Sequence, residues 1–276
     1  MSRFSLNQAT IKYADLETAV RVTADAGIES IGLWREPVAA AGLEHSARVV
    51  RDAGLRVSSL CRAGFFTMPE GPARRAAVDD NRRAIEETAA LGAPTLVLVA
   101  GGLPEGSRDL VGARARVGEA LAELEHDALA AGVQLAIEAL HPMYVTDRAV
   151  VSTLGQALDL AAPFDARAVG VVVDTFHIFW DPDVLGQIAR AGVEGRIASY
   201  QVCDWNMPIA ADPLLSRGYP GDGLIDFASL TRAVVDAGYD GDIECEIFNQ
   251  EIWDAEPALV AARARAAYEN LVEPHL

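Results

Sequence analysis

Four polar side chains stand where apolar runs of this 276-residue chain end. Glu138 closes QLAIE, Asp174 closes VGVVVD, Gln201 lies in ASYQVCDW, and Glu246 lies in IECEIF. Brought together, three ionised carboxylates a few Å apart repel one another by several kcal/mol at low effective dielectric. A divalent cation removes that conflict. Oxygen donors suit a hard or borderline ion such as Mg²⁺ or Mn²⁺, and the lack of a cysteine or obligatory histidine in the set argues against structural zinc. A cation held this way polarises a carbonyl and its neighbouring hydroxyl and stabilises the enediolate left when the proton between them departs.

Taken singly, each acid has a plainer use, and Asp174 alone would serve equally well as a helix cap. Two further acids, Asp204 and Glu244, compete for the assignment. Strand alternation puts Glu244 and Glu246 on the same face, so spacing does not choose between them.

The elements that position these residues are repeated βα units. Strands are expected at Phe4–Gln8, Ser30–Leu33, Arg56–Leu60, Thr95–Val99, Gln134–Glu138, Ala168–Val173, Ile197–Val202 and Asp242–Ile247. Helical apolar spacing follows each, over Asp15–Ala26, Glu44–Ala53, Ala73–Ala90, Ser107–Ala131, Thr153–Ala161, Pro182–Arg190, Phe227–Ala237 and Pro257–Leu271. Glycine recurs where those helices give way to strands, in AGI, AGL, LGA, AGV and AGY. TLVLVA and VGVVVD read as strands covered on both faces. Eight such units predict an α/β fold, a single (β/α)8 TIM barrel over residues 1–276. An open doubly wound sheet would carry GxGxxG after its first strand, and NQATIKYADLE does not. In a closed barrel the chemistry sits at the C-terminal strand ends, where all four residues fall.

Composition narrows the partners. With 40 acidic and 23 basic side chains the net charge is −17, which opposes binding to nucleic acid or an anionic membrane. Three cysteines, Cys61, Cys203 and Cys245, have neither CxxC spacing nor disulfide density. With no signal-like N-terminus and no membrane-length apolar run, the expected location is the cytoplasm.

At IEALHPM, VVDTFHIFW, YQVCDW, RGYPGDGLIDF and GYDGDIECEIF, the chain resembles the xylose-isomerase-like barrel family. That family includes ketose 3-epimerases, hydroxypyruvate isomerase, and inosose isomerases and dehydratases. The resemblance implies that Glu138, Asp174, Gln201 and Glu246 hold the metal, and it selects Glu246 over Glu244. Many members have histidine in place of Gln201, which leaves the ion less defined: Mn²⁺ first, with Mg²⁺ or Co²⁺ as alternatives. It further implies that His177 and Arg217 touch substrate oxygens, and that GYPGDG is a turn leading to the next helix. His141, Trp34 and Arg62 also follow strand ends and are expected in the pocket wall.

The expected activity is isomerisation or epimerisation of a small keto sugar or related polyhydroxy carbonyl compound, with Glu138 and Glu246 as the acid–base pair. Dehydration of a keto-inositol or related substrate uses the same ligands. A DNA-cleaving relative would need a histidine-rich zinc cluster, and only five histidines occur. A homo-oligomer is compatible with the sequence, which carries no interface signature. FF, Met68 and Pro69 read equally as an apolar lid or a packed loop, Cys203 as pocket lining, and LVEPHL as a frayed tail.

Overall fold

The computed structural model describes residues 2–276. Eight parallel strands close a barrel: β1 (Phe4–Asn7), β2 (Ser30–Trp34), β3 (Arg56–Gly64), β4 (Thr95–Val99), β5 (Gln134–Glu138), β6 (Val169–Asp174), β7 (Ile197–Val202) and β8 (Ile243–Cys245). They follow one another around the barrel, and β8 pairs back onto β1.

The outer ring comprises α1 (Leu16–Asp25), α2 (Leu43–Asp52), α3 (Pro72–Ala90), α4 (Leu110–Ala131), α5 (Leu154–Ala161), α6 (Val184–Val193), α7 (Phe227–Asp236) and α8 (Pro257–Leu271). Each buries its apolar stripe on the strands. In α4 that stripe is Val117, Ala120, Leu121, Leu124 and Ala128, while its charged residues remain outside. Short helices at Arg35–Ala41, Thr175–Ile178 and Gln250–Trp253 elaborate the C-terminal end of the barrel, as does a two-stranded ribbon of Asp204–Trp205 with Arg217–Gly218.

Alternation along the strands divides the core in two. Val171, Val173, Tyr200, Ile243 and Cys245 point outward to the helices, as the Tyr200 Oη bond to Thr231 Oγ1 on α7 shows at 2.9 Å. Cys61, Val97, Ala136 and Val172 form a separate apolar cluster. Across from it, β1, β3, β7 and β8 contribute Ser5, Asn7, Ser59, Gln201 and Glu244, all buried. A polar sector inside a barrel is costly unless its groups are hydrogen-bonded.

The C-terminus is not frayed. Val272 is fully buried, and the Glu273–His275 turn brings His275 Nδ1 within 3.2 Å of Arg232 on α7. The FF pair divides: Phe66 is buried at 1% exposure, whereas Phe65 stands at the rim with 44% exposed. Among the described residues no helix is long and apolar enough to cross a membrane.

Candidate active site

Glu138 and Asp174 are the last residues of β5 and β6, and Glu246 is the first after β8. Asp174 pairs with Gln201, and Gln201 with Glu244, so these three lie level across β6, β7 and β8. Glu246 is two residues further along the chain and nearer the barrel mouth. All four expected ligands are at least 95% buried.

Arg217, carried by the ribbon, enters this cluster from above. Its Nη1 donates to Glu246 Oε2 at 2.9 Å and to Asp174 Oδ2 at 3.2 Å. Nη2 donates to His177 Nε2 at 2.9 Å, and the guanidinium lies between the rings of Phe176 and Phe248 at 4.7 and 5.1 Å. Arg217 is 2% exposed, so its charge is compensated by these carboxylates rather than by water. Asp174 also accepts the Phe176 N–H at 2.8 Å, combining the capping role with the site role.

His177 follows β6 on the short Thr175–Ile178 helix. Burial and the Arg217 charge keep its imidazole well below the usual histidine range, hence neutral. The His141 backbone N–H also reaches its Nδ1, at 3.2 Å. A neutral imidazole accepts at one nitrogen only, so this donor competes with Arg217. Glu138, Asp174 and His177 each offer an atom within 4.8 Å of the others, a separation a single cation can span.

Burial, followed by its carboxylate neighbours, pushes Glu138 well above the usual carboxylate range. Burial also raises Asp174, and it moves Glu246 to about 7 against the opposing pull of Arg217. One arginine does not offset three acids. Gln201 Oε1 is buried without a hydrogen-bond partner, whereas a buried carbonyl oxygen ordinarily has one. The donor set therefore fits a divalent cation: three buried acids that burial drives toward protonation in the absence of a compensating charge, and a neutral oxygen with nothing to accept.

The two competing acids have other work. Asp204 clamps the GYPGDG turn: its carboxylate accepts the N–H groups of Trp205, Gly221, Gly223 and Ile225 at 2.8 to 2.9 Å. A Cβ at Gly223 would lie 2.1 Å from the Trp205 carbonyl oxygen, so the turn requires glycine there. Glu244 lies deeper in the barrel, bonded to Asn7, Ser58, Ser59 and Gln201.

Above the acids opens a cavity of about 820 Å³, lined by Glu138, His177, Arg217 and Glu246 at its floor. One wall is aromatic. Trp34 meets Phe248 edge-on at 5.6 Å, and Phe248 meets Trp253 at 5.8 Å. Trp34 is oriented by its Nε1 bond to Asn7 Oδ1 at 2.8 Å. Arg62 lies over Trp34 and Phe65, and Lys12 over Trp253. Neither cation has a carboxylate partner within 4.0 Å among the described residues.

Trp34 and Arg62 thus line the cavity as expected, and His141 does not. Its ring packs between Trp180 and Trp205, at 5.4 and 5.2 Å, and caps the Met143 N–H. The reason is the short turn at Pro142–Tyr144, which directs the side chain behind the wall while its backbone reaches His177. Sequence reasoning missed Gln8, Lys12, Phe248 and Trp253. Their positions after β1 and β8 carried the same signal as Trp34, and closure of the barrel makes them its neighbours. Cys203, expected to line the pocket, instead lies in the core outside the cavity wall, and burial pushes its thiol well above the usual range.

The model of the xylose isomerase-like TIM barrel family matches residues 20–270. The chain is 30% identical to an inosose isomerase of Bacillus licheniformis over 159 residues, 56% of this chain and 53% of that protein. To a 3-dehydroshikimate dehydratase of Pseudomonas aeruginosa it is 31% identical over 147 residues, 51% of this chain and 22% of the other. To an L-ribulose 3-epimerase of Mesorhizobium japonicum it is 28% identical over 135 residues, 49% and 41% of the two chains. The chain spans about half the length of the inosose isomerases it matches. A crystal structure of a Sinorhizobium meliloti 1021 protein superposes with a TM-score of 0.94 at 46% identity, covering 98% of each chain. The crystal structure of the IOLI protein with a zinc atom shares the fold at a TM-score of 0.86 and 20% identity, covering 100% and 99%. The chain belongs to the xylose isomerase-like TIM barrel family.

Proposed function

We propose that this protein is a divalent-metal-dependent isomerase or epimerase of a small keto sugar or related polyhydroxy carbonyl compound. The observation that carries the reading is the cluster of three buried carboxylates with the unpartnered Gln201 oxygen, beneath a cavity of about 820 Å³ with ample room for a small polyol. Glu138, Asp174, Gln201 and Glu246 would hold the ion, Mn²⁺ best matching a set of three carboxylates and an amide, with Mg²⁺ and Co²⁺ next. Bound there, the cation supplies Lewis-acid stabilisation of negative charge developing on the substrate's oxygens.

The chain's own residues move the proton. Glu138 and Glu246 stand on strands separated by two others and so approach a bound substrate from different sides. One takes the proton from the carbon beside the carbonyl, and the other returns a proton to the same carbon in epimerisation. In isomerisation the proton goes to the neighbouring carbon. Without the ion, burial raises Glu246 to about 7; a bound cation would draw it back toward the ionised form that accepts a proton. Arg217 fixes the Glu246 carboxylate and, with His177, lines the cavity floor against which substrate oxygens would lie. The rings of Trp34, Phe248 and Trp253 shield the reacting carbon from water. The three buried, unpaired cysteines suit a reducing compartment, the cytoplasm.

Dehydration is the second reading, favoured by one observation. Arg62 and Lys12 face the cavity without carboxylate partners, and such cations suit a substrate that carries an acid group, as 3-dehydroshikimate does. Loss of a β-hydroxyl after the same proton abstraction completes that reaction.

The deciding experiment uses chelator-stripped protein with Mn²⁺, Mg²⁺ or Co²⁺ restored, a panel of ketoses, inososes and 3-dehydroshikimate, and NMR detection of solvent deuterium in the product. Metal-dependent exchange beside the carbonyl is expected, and the product separates epimerase, isomerase and dehydratase. Absence of exchange on every compound, with the ion stoichiometrically bound, sinks the reading.

A further inference from the structure

Glu244 is an interior acid that the function proposed above does not use. It faces into the barrel two residues before Glu246, and four donors occupy its carboxylate. Oε1 accepts from Asn7 Nδ2 at 2.6 Å and from Gln201 Nε2 at 3.3 Å, and Oε2 accepts from the hydroxyls of Ser58 and Ser59. The Asn7 amide cannot turn, because its Oδ1 already accepts from Trp34 Nε1 and the Ala9 N–H, each at 2.8 Å. Room for the carboxylate comes from Gly32 on β2, where a Cβ would lie 2.6 Å from the Glu244 carboxyl carbon. An acceptor site this fully built holds whatever donor meets it in one orientation.

The donor that matters is Gln201. Turned the other way, its amide would set Oε1 against a carboxylate oxygen, two acceptors with no proton between them. With Nε2 bound to Glu244, Oε1 is turned away from it, and it is this oxygen that is buried without a partner. Leaving a carbonyl oxygen in that condition costs about 1–3 kcal/mol, so the orientation calls for a ligand.

We propose that Glu244 is a positioning residue: through the Gln201 amide it presents Oε1 to the Asp174–Glu246 side as the neutral donor for the cation. The inference rests on the metal reading above. It gives Glu244 the task a carboxylate performs behind a histidine ligand, which is to determine the atom that faces the ion. Glu244→Gln removes one acceptor oxygen and adds two donors, so the four existing donors can no longer all be satisfied and Gln201 is released to turn.

Two measurements test this. The first is Mn²⁺ affinity of chelator-stripped protein, read from the EPR signal of free ion, for the wild type, E244Q, Q201A and the double variant, each checked for an unfolding transition. The second is hydrogen exchange of the Gln201 side-chain amide in metal-free protein, followed by ¹⁵N–¹H NMR. Expected are losses of about 10–100-fold for each single variant, no further loss for E244Q on the Q201A background, and protected Gln201 amide protons that lose protection in E244Q. If Q201A weakens binding while E244Q does not, or if the two losses add, Glu244 does not act through Gln201 and the proposal is overturned with the metal reading intact. If Q201A binds Mn²⁺ as the wild type does, Gln201 is no ligand, and the ligand assignment falls together with the proposal.

Discussion

The Arg217 guanidinium donates to the Glu246 carboxylate at 2.9 Å, joining a cavity-lining cation to the proposed acid–base group inside one buried ion pair. Arg217 opposes the upward push that burial exerts on Glu246. Replacing it with methionine, which keeps the stem and the packing between Phe176 and Phe248, should raise the Glu246 pKa. The acidic limb of the kcat/KM profile then moves to higher pH, and kcat falls roughly 10²-fold or more. An unchanged pH profile in folded R217M would separate the two groups.

Metal and pH should act together on stability. The folded-state pKa values of Glu138, Asp174 and Glu246 are raised above their unfolded values. Protonation therefore favours the folded metal-free protein, fully below the unfolded pKa, and the advantage is lost as pH rises through about 7 for Glu246. Metal-free Tm should fall between pH 5 and pH 8. Added Mn²⁺ should raise Tm more at pH 8, where the carboxylates are ionised, than at pH 5. Calorimetric scans at the two pH values, with and without the ion, check both signs.

Glu246→Gln removes the proposed proton carrier and keeps the shape. Turnover should drop roughly 10²- to 10⁴-fold, with solvent deuterium exchange lost in proportion and the circular dichroism unchanged. Near-normal exchange would remove Glu246 from the acid–base pair.

Asp204→Ala should act on stability before chemistry, since four backbone N–H groups lose their acceptor. A loss of about 3 kcal/mol is expected in urea denaturation, with the larger part coming from the buried donors left unpaired. Because the ribbon that Asp204 opens also carries Arg217, residual activity should show a raised KM.

Arg62→Gln distinguishes the two substrate readings. For an acidic substrate KM should rise about tenfold or more, the value of one charge-assisted hydrogen bond, while a neutral ketose or inosose is little affected. Equal effects on both would make Arg62 part of the wall rather than an anion contact.

The eight βα units were legible because each carries its own punctuation. Apolar runs such as TLVLV and VGVVVD lie within one residue of their strands, and the strand-end acids Glu138 and Asp174 end theirs as expected. Parallel strands buried on both faces admit little else, so local composition was enough. Alternation also placed Glu244 and Glu246 on one inner face, but it carried no measure of depth. Only closure of the barrel, with Asn7 and Gly32 arriving from β1 and β2, made the first a buried hydrogen-bond acceptor and left the second at the mouth. The same holds for His141, whose strand-end position was readable and whose side-chain direction was set by the turn at Pro142–Tyr144. The wall of Lys12, Trp34, Phe248 and Trp253 joins the first two units to the last. Sequence determined which chemistry stands at the strand ends, because that depends on local pattern. Tertiary structure decided which groups meet, because contacts between residues more than two hundred positions apart exist only once β8 pairs with β1.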